Sequence, residues 1–184
     1  MLRDDLNPRA AAPATTKETR HASLSPRVRS ALGLAAAPAF AGIVDSPLPE
    51  LVAGETTYHL YSVPSVISSG GLGTYFGCTS LDTATMQVCV EVFGGAGGAP
   101  ISNDCSSTSL SVAAGATVIF GTISPAGISI SSSLGAGISR GSARILATSK
   151  KLTCTAFLAD VFNAPPASMT YLTIIAKTKQ KAAN

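Results

Sequence analysis

Tryptophan is absent from this 184-residue chain, and aromatic residues of any kind reach only 5%. Charge is scarce too: Asp, Glu, Lys and Arg make up 12%, about half the share of an ordinary globular domain. The net charge of +3 comes without a Lys/Arg cluster interleaved with aromatics, which argues against nucleic acid as a partner. No apolar run reaches the roughly 18 residues of a membrane-spanning helix, so no membrane span is expected. The only histidines are His21 and His59. No two cysteines form a C-x-x-C pair, and the gaps between them are 11, 16 and 49 residues, so neither a zinc cluster nor a Cys–His catalytic pair is expected. No motif calls for a cofactor.

What is present is Gly, Ala, Ser and Thr in abundance, short β-branched runs, and four cysteines: Cys78, Cys89, Cys105 and Cys154. Hydrophobic residues make up 46%, enough to build a core. Charge is unevenly spread. Residues 1–50 hold 11 of the 23 charged side chains, whereas Asp104 is the only one between Val92 and Ser139.

Residues 1–50 carry six prolines and no hydrophobic period, and read as a disordered Pro/Ala-rich arm. Within it, residues 27–41 run from two arginines through a short apolar stretch to Ala39-Phe40-Ala41. That is the outline of a secretory signal, although the basic region before it is long; the other reading is a flexible linker.

From residue 51 to 184 the pattern is short alternating segments broken by turn residues. Strands are expected near residues 56–63, 73–80, 85–93, 109–112, 117–122, 127–131, 142–148, 152–159 and 169–178. Ser149-Lys150-Lys151 reads as a hairpin turn. This predicts an all-β domain, an antiparallel β-sandwich of about eight or nine strands.

Phase within these strands places Cys78 with Phe76, and Cys154 with Leu152 and Ala156, on core faces. Cys89 falls on the outward phase with Gln87 and Glu91, and Cys105 follows Asn103-Asp104 in a loop. The expected bridges are therefore Cys78–Cys154, crossing between sheets, and Cys89–Cys105, tethering the Gly-rich loop 94–105. Such bridges belong to an oxidising compartment.

The run Leu110-Ser-Val-Ala-Ala-Gly-Ala-Thr-Val-Ile-Phe120 resembles the L-x-V-x-P-G-x-T-V-x-F strand–turn–strand of bacterial exported immunoglobulin-like sandwich modules. Ala114 stands where those modules have proline, and the chain lacks the core Trp of antibody-type domains. The resemblance implies an immunoglobulin-like sandwich and brings no catalytic residues.

Three features invite a chemical reading. Gly137-Ile-Ser-Arg-Gly141 matches the G-x-S-x-G of hydrolase nucleophile elbows, but no His follows it. Gly94–Gly98 lacks the G-K-[ST] ending of a phosphate loop. Asp82, Glu91, Asp104 and Asp160 are the acids from which a glycosidase pair would be drawn, and no spacing brings two together. Lys150-Lys151 and the Lys177–Lys181 tail read as solvated charge that blunts strand edges. The reading is thus a non-enzymatic exported module, secreted or in a bacterial cell envelope, that recognises a protein or glycan surface or serves structurally. The alternative is a self-assembling fibre or coat subunit, a homo-oligomer using its N-terminal arm.

Overall fold

The computed structural model describes residues 42–101, 105 and 109–177. Residues 1–41 of the arm expected over 1–50, with the signal-like segment 27–41, lie outside them, as do Asp104, Lys179 and Lys181. The fold is all-β, with ten strands in one hydrogen-bonded sheet: β1 (Tyr58–Ser69), β2 (Leu72–Ser80), β3 (Met86–Gly94), β4 (Leu110–Val112), β5 (Thr117–Gly121), β6 (Ser132–Ser133), β7 (Ile138–Ala147), β8 (Leu152–Asp160), β9 (Met169–Leu172) and β10 (Ile175–Ala176). The sheet is mixed, because β6 runs parallel to β5 while the other pairings are antiparallel.

The pairings form two sets. One runs β4-β3-β7-β1-β10 and the other β6-β5-β2-β8-β9. Each begins from local chemistry. β1 turns into β2 through Gly70 and Gly71, both at positive φ, the geometry of a two-residue type I′ turn. That pairing covers only Ser68–Ser69 against Leu72–Gly73. Past it, β1 stays with β7 and β2 turns to β5 and β8. Thr74 seals the corner: its hydroxyl donates to Ile67 O and accepts from Ile67 N, while its amide donates to Thr122 Oγ1. On the other side the chain passes from β9, paired with β8, into β10, paired with β1. The sheet therefore curls nearly into a barrel. β1 can bend this way because its register with β7 slips at three places, one at Pro64–Ser65, where proline offers no ladder donor and Ser65 sits at φ 64°.

The interior takes the inward phases of both sets: Val63 and Val66 of β1, Phe76 and Cys78 of β2, alternate residues Met86 to Val92 of β3, Phe120 of β5, Ala143, Ile145 and Ala147 of β7, and Leu152 and Ala156 of β8. Tyr61 of β1 reaches across, its hydroxyl donating to Leu152 O.

Several expectations need correction. Residues 127–131 form no strand, and the expected 169–178 strand is broken into β9 and β10. The 148–151 segment is no hairpin, since β7 and β8 never pair: β7 lies between β1 and β3, and β8 between β2 and β9. The 113–116 turn likewise carries the chain from β4 in one set to β5 in the other. The Cys78–Cys154 bridge does not cross between layers. The two residues are direct cross-strand partners on neighbouring β2 and β8, 4.1 Å apart at Cα. The second bridge joins Cys89 of β3 to Cys105. Two disulfides suit an oxidising environment outside the cytosol.

The outward phase of β3 is not solvated either. Cys89, Glu91 and Phe93 are as buried as Val88 and Val90. Residues 42–57, just before β1, lie over this face with Cys105. Leu51 packs with Cys89, Cys105 and Leu146, and Ser46 is buried. The packed region thus begins before residue 51.

Candidate functional site

Beneath that cover lies the one deeply buried cation among the described residues. Arg144 of β7 stands directly opposite Glu91 of β3. Its Nε donates to the Glu91 carboxylate, its other two nitrogens donate to Ser46 O and Pro47 O at 2.8 Å, and the guanidinium lies 5.2 Å from the Phe93 ring centroid. Every polar atom of the cation has a partner, and the group is sealed from solvent. It locks residues 46–47 onto the sheet and offers no surface to a substrate. Sequence reasoning missed Arg144. The signal was a lone Arg in Ala143-Arg-Ile-Leu-Ala147 matching a lone Glu in Val88-Cys-Val-Glu-Val92.

The serine of the G-x-S-x-G run and His59 both stand on strands. Ser139 lies inside strand β7, with no strand–turn–helix around it. His59 of β1 is half-buried. Its Nε2 lies 3.0 Å from Ser62 Oγ and its Nδ1 3.2 Å from Lys177 Nζ. The ammonium can only donate, so Nδ1 must accept and the single ring proton sits on Nε2, pointing at Ser62. The imidazole therefore donates to the serine and cannot take its proton. Burial, and then the charges of Lys177 and Arg144, lower the His59 pKa to about 4, so the ring is neutral at pH 7.

The acids are committed separately. Asp82 accepts from Ser149 Oγ at 2.5 Å, from Thr83 N, and from Lys151 Nζ at 3.3 Å; the Ser149 hydroxyl leads in holding its pKa down at about 2. Asp160, at the end of β8, accepts from the amides of Phe162, Asn163, Ala167 and Ser168 and from Asn163 Nδ2, so it shapes the 160–168 loop. These bonds, the Ser168 amide foremost, lower its pKa. Lys150 lies over the Tyr58 ring, 4.6 Å from its centroid. Among the described residues no three His, Cys, Asp or Glu side chains gather to hold a metal, and no helix is long and apolar enough to cross a membrane.

The outer face of β5-β2-β8-β9 is open at its threonine end and along β9, while Tyr75, Phe157 and Ala159 at its centre are buried. Register sets its rows. Thr117, Thr79 and Thr153 stand side by side, then Ile119, Gly77 and Thr155, then Gly121, Tyr75, Phe157 and Tyr171, then Gly73, Ala159 and Met169. No residue in these rows is charged. Thr79 and Thr117 share a hydrogen bond of 2.8 Å. Tyr75 stacks on Phe157 at 5.4 Å between centroids, and Phe157 meets Tyr171 edge-on at 6.5 Å. The Tyr75 ring has room because its neighbours are glycines: a Cβ on Gly121 would come 3.0 Å from that ring and one on Gly73 2.7 Å from its hydroxyl. Ile123, Ile128 and Ile130, from the irregular segment after β5, lie at this face. Tyr171 remains 74% exposed and Met169 51%.

The Tyr75 hydroxyl is buried without a hydrogen-bond partner among the described residues. Desolvation, and then the Asp160 charge, raise its pKa. Neither aromatic row nor orphan hydroxyl was foreseen, because the row is assembled from three strands and is continuous only in the folded register.

Comparison with protein-family models, with curated proteins and with solved structures yields no match.

Proposed function

We propose that this protein is an exported, non-catalytic module of the cell envelope or extracellular space that recognises a neutral glycan surface through the outer face of β5-β2-β8-β9. The observation that carries the reading is the uncharged face itself: Tyr171 stands 74% exposed and edge-on to the buried Phe157 that backs it, on the same face as a patch of threonine hydroxyls. Sugar rings offer apolar C–H faces to aromatics and hydroxyls to hydroxyls, whereas a charged polymer would find no counter-charge here. Two disulfides and a signal-like segment at 27–41 support export. The two strand sets facing one core support an immunoglobulin-like sandwich.

The test is retention on insoluble neutral β-glucan and α-glucan, with tyrosine fluorescence as a second readout, which the absence of Trp leaves unmasked. Wild-type chain should be retained on at least one, and Tyr171→Ala should weaken retention at least tenfold. No retention on either, or retention untouched by Tyr171→Ala, refutes the reading. Exposed Tyr171 and Met169 on β9 also fit the second reading, a self-assembling subunit. A large particle that Tyr171→Asp disperses to monomers would establish that one instead.

A further inference from the structure

On the opposite half of the domain, where the cover of residues 42–57 runs out, the outer face of β1, β7 and β3 opens into a cleft of about 570 Å³, a size usual for small-ligand sites. Ile43 and Ile67 supply its apolar surface, with buried Phe93 behind them, and Ser65, Ser142 and Arg140 supply its polar one. Phe93 is already held from one side by Arg144, whose charge Glu91 answers. Arg140 is different: among the described residues no carboxylate or carbonyl takes its guanidinium. The side chain is exposed, with its stem resting on the neighbouring backbone. A Cβ on Gly95 would come 2.6 Å from Arg140 Cγ and 3.0 Å from its Nε, so the side chain lies flat across the Gly-rich turn. That turn is closed by Gly97 N donating to Gly94 O and carries Gly97 and Gly98 at positive φ. Opposite, Ser65 sits at φ 64°, a costly conformation for a non-glycine residue, and lines the same cleft.

We propose that this cleft is a binding site for a small carboxylate on an apolar body, with the Arg140 guanidinium as the anchor and Ile67 and Ile43 receiving the body. A guanidinium fork matches a carboxylate in two parallel hydrogen bonds. The apolar walls disfavour an ion without a hydrocarbon part. The Gly94–Gly98 loop thus serves as the rail that positions a cation, and its own amides need not cradle a phosphate. This site is independent of the glycan face, which lies on the other strand set.

The experiment is a titration of the full chain with hexanoate, followed through the amide resonances of Gly94, Gly95, Gly97 and Ser142. These should shift saturably. Hexanol, with the same body and no charge, should bind at least tenfold more weakly. Arg140→Gln should lose at least tenfold in hexanoate affinity, Arg140→Lys should lose less, and amides around Cys78 and Cys154 should stay in place in both, reporting an intact fold. Absence of saturable shifts, equal hexanoate affinity in Arg140→Gln, or inorganic phosphate matching hexanoate would each overturn the proposal.

Discussion

Arg144 shows what a single residue can do in a chain with little charge. Its ion pair with Glu91 lies wholly inside, so removing one partner strands the other. Arg144→Ala should destabilise the domain by about 3–5 kcal/mol in chemical denaturation, while the double change Glu91→Leu/Arg144→Met should recover most of that loss. Tyr75→Phe removes a buried hydroxyl that bonds to nothing described. It should leave stability unchanged or raise it by about 1 kcal/mol; a clear loss would reveal a hidden partner. His59 gives a pH signature. Its pKa falls from 6.5 in the free side chain to about 4 in the fold. Between these values the unfolded chain binds a proton that the folded one does not. Its contribution is therefore full above pH 6.5 and is lost as pH falls towards 4. His59→Gln should flatten the stability curve in that window. At this scale the sequence was partly legible. The phases of Phe76, Cys78 and Met86–Val92 could be read from alternation alone. The burial of Glu91 and Cys89 could not, because their cover comes from residues about forty positions away and alternation shows only which residues share a face.

Among the elements, the turns were easier to find than their destinations. Gly70-Gly71, Gly115 and Ser149-Lys-Lys151 all mark places where a strand ends. Only the first joins strands that pair; the other two carry the chain from one set to the other. Turn residues fix a local reversal, and the partner of the next strand is decided by core burial, which no single turn encodes. The irregular segment after β5 misled for a related reason: Ile128 and Ile130 alternate like a strand but pack on Tyr75 and Phe157 without a ladder. Gly141 is the tightest point between elements. A Cβ there would lie 2.3 Å from Phe93 O in the neighbouring strand. Gly141→Ala should therefore part β3 from β7 locally and cost about 1–3 kcal/mol by thermal or chemical melting. The segment before β1 can be tested by truncation. A chain starting at Gly42 should melt like the full chain, whereas one starting at Leu51 loses both carbonyls that hold Arg144 and should melt measurably lower.

In the molecule as a whole, most sequential strands lie in different sets, so the fold rests on contacts between residues distant in sequence. The two bridges bind this arrangement covalently. In the chain-entropy model Cys78–Cys154, closing 76 residues, should stabilise by roughly 4 kcal/mol and Cys89–Cys105, closing 16, by roughly 3 kcal/mol. The second is also buried under Leu51, so its double change to Ala empties part of a packed cluster and should cost nearly as much as the first. Paired denaturation curves of the two double variants decide this; a loss of under 1 kcal/mol from the Cys89–Cys105 pair would mean that Leu51 covers little. The bridges are also nested, the shorter loop lying wholly within the longer. Under tension from its two ends, the oxidised domain would surrender only the chain outside Cys78 and Cys154. The stretch between them, about 260 Å when drawn out, stays off the load path until the bridge is reduced. Pulled while anchored to a surface, such a module spares β3 to β7, whereas β1, which brings Ser65 and Ile67 to the Arg140 cleft, bears the load, so tension would open that cleft.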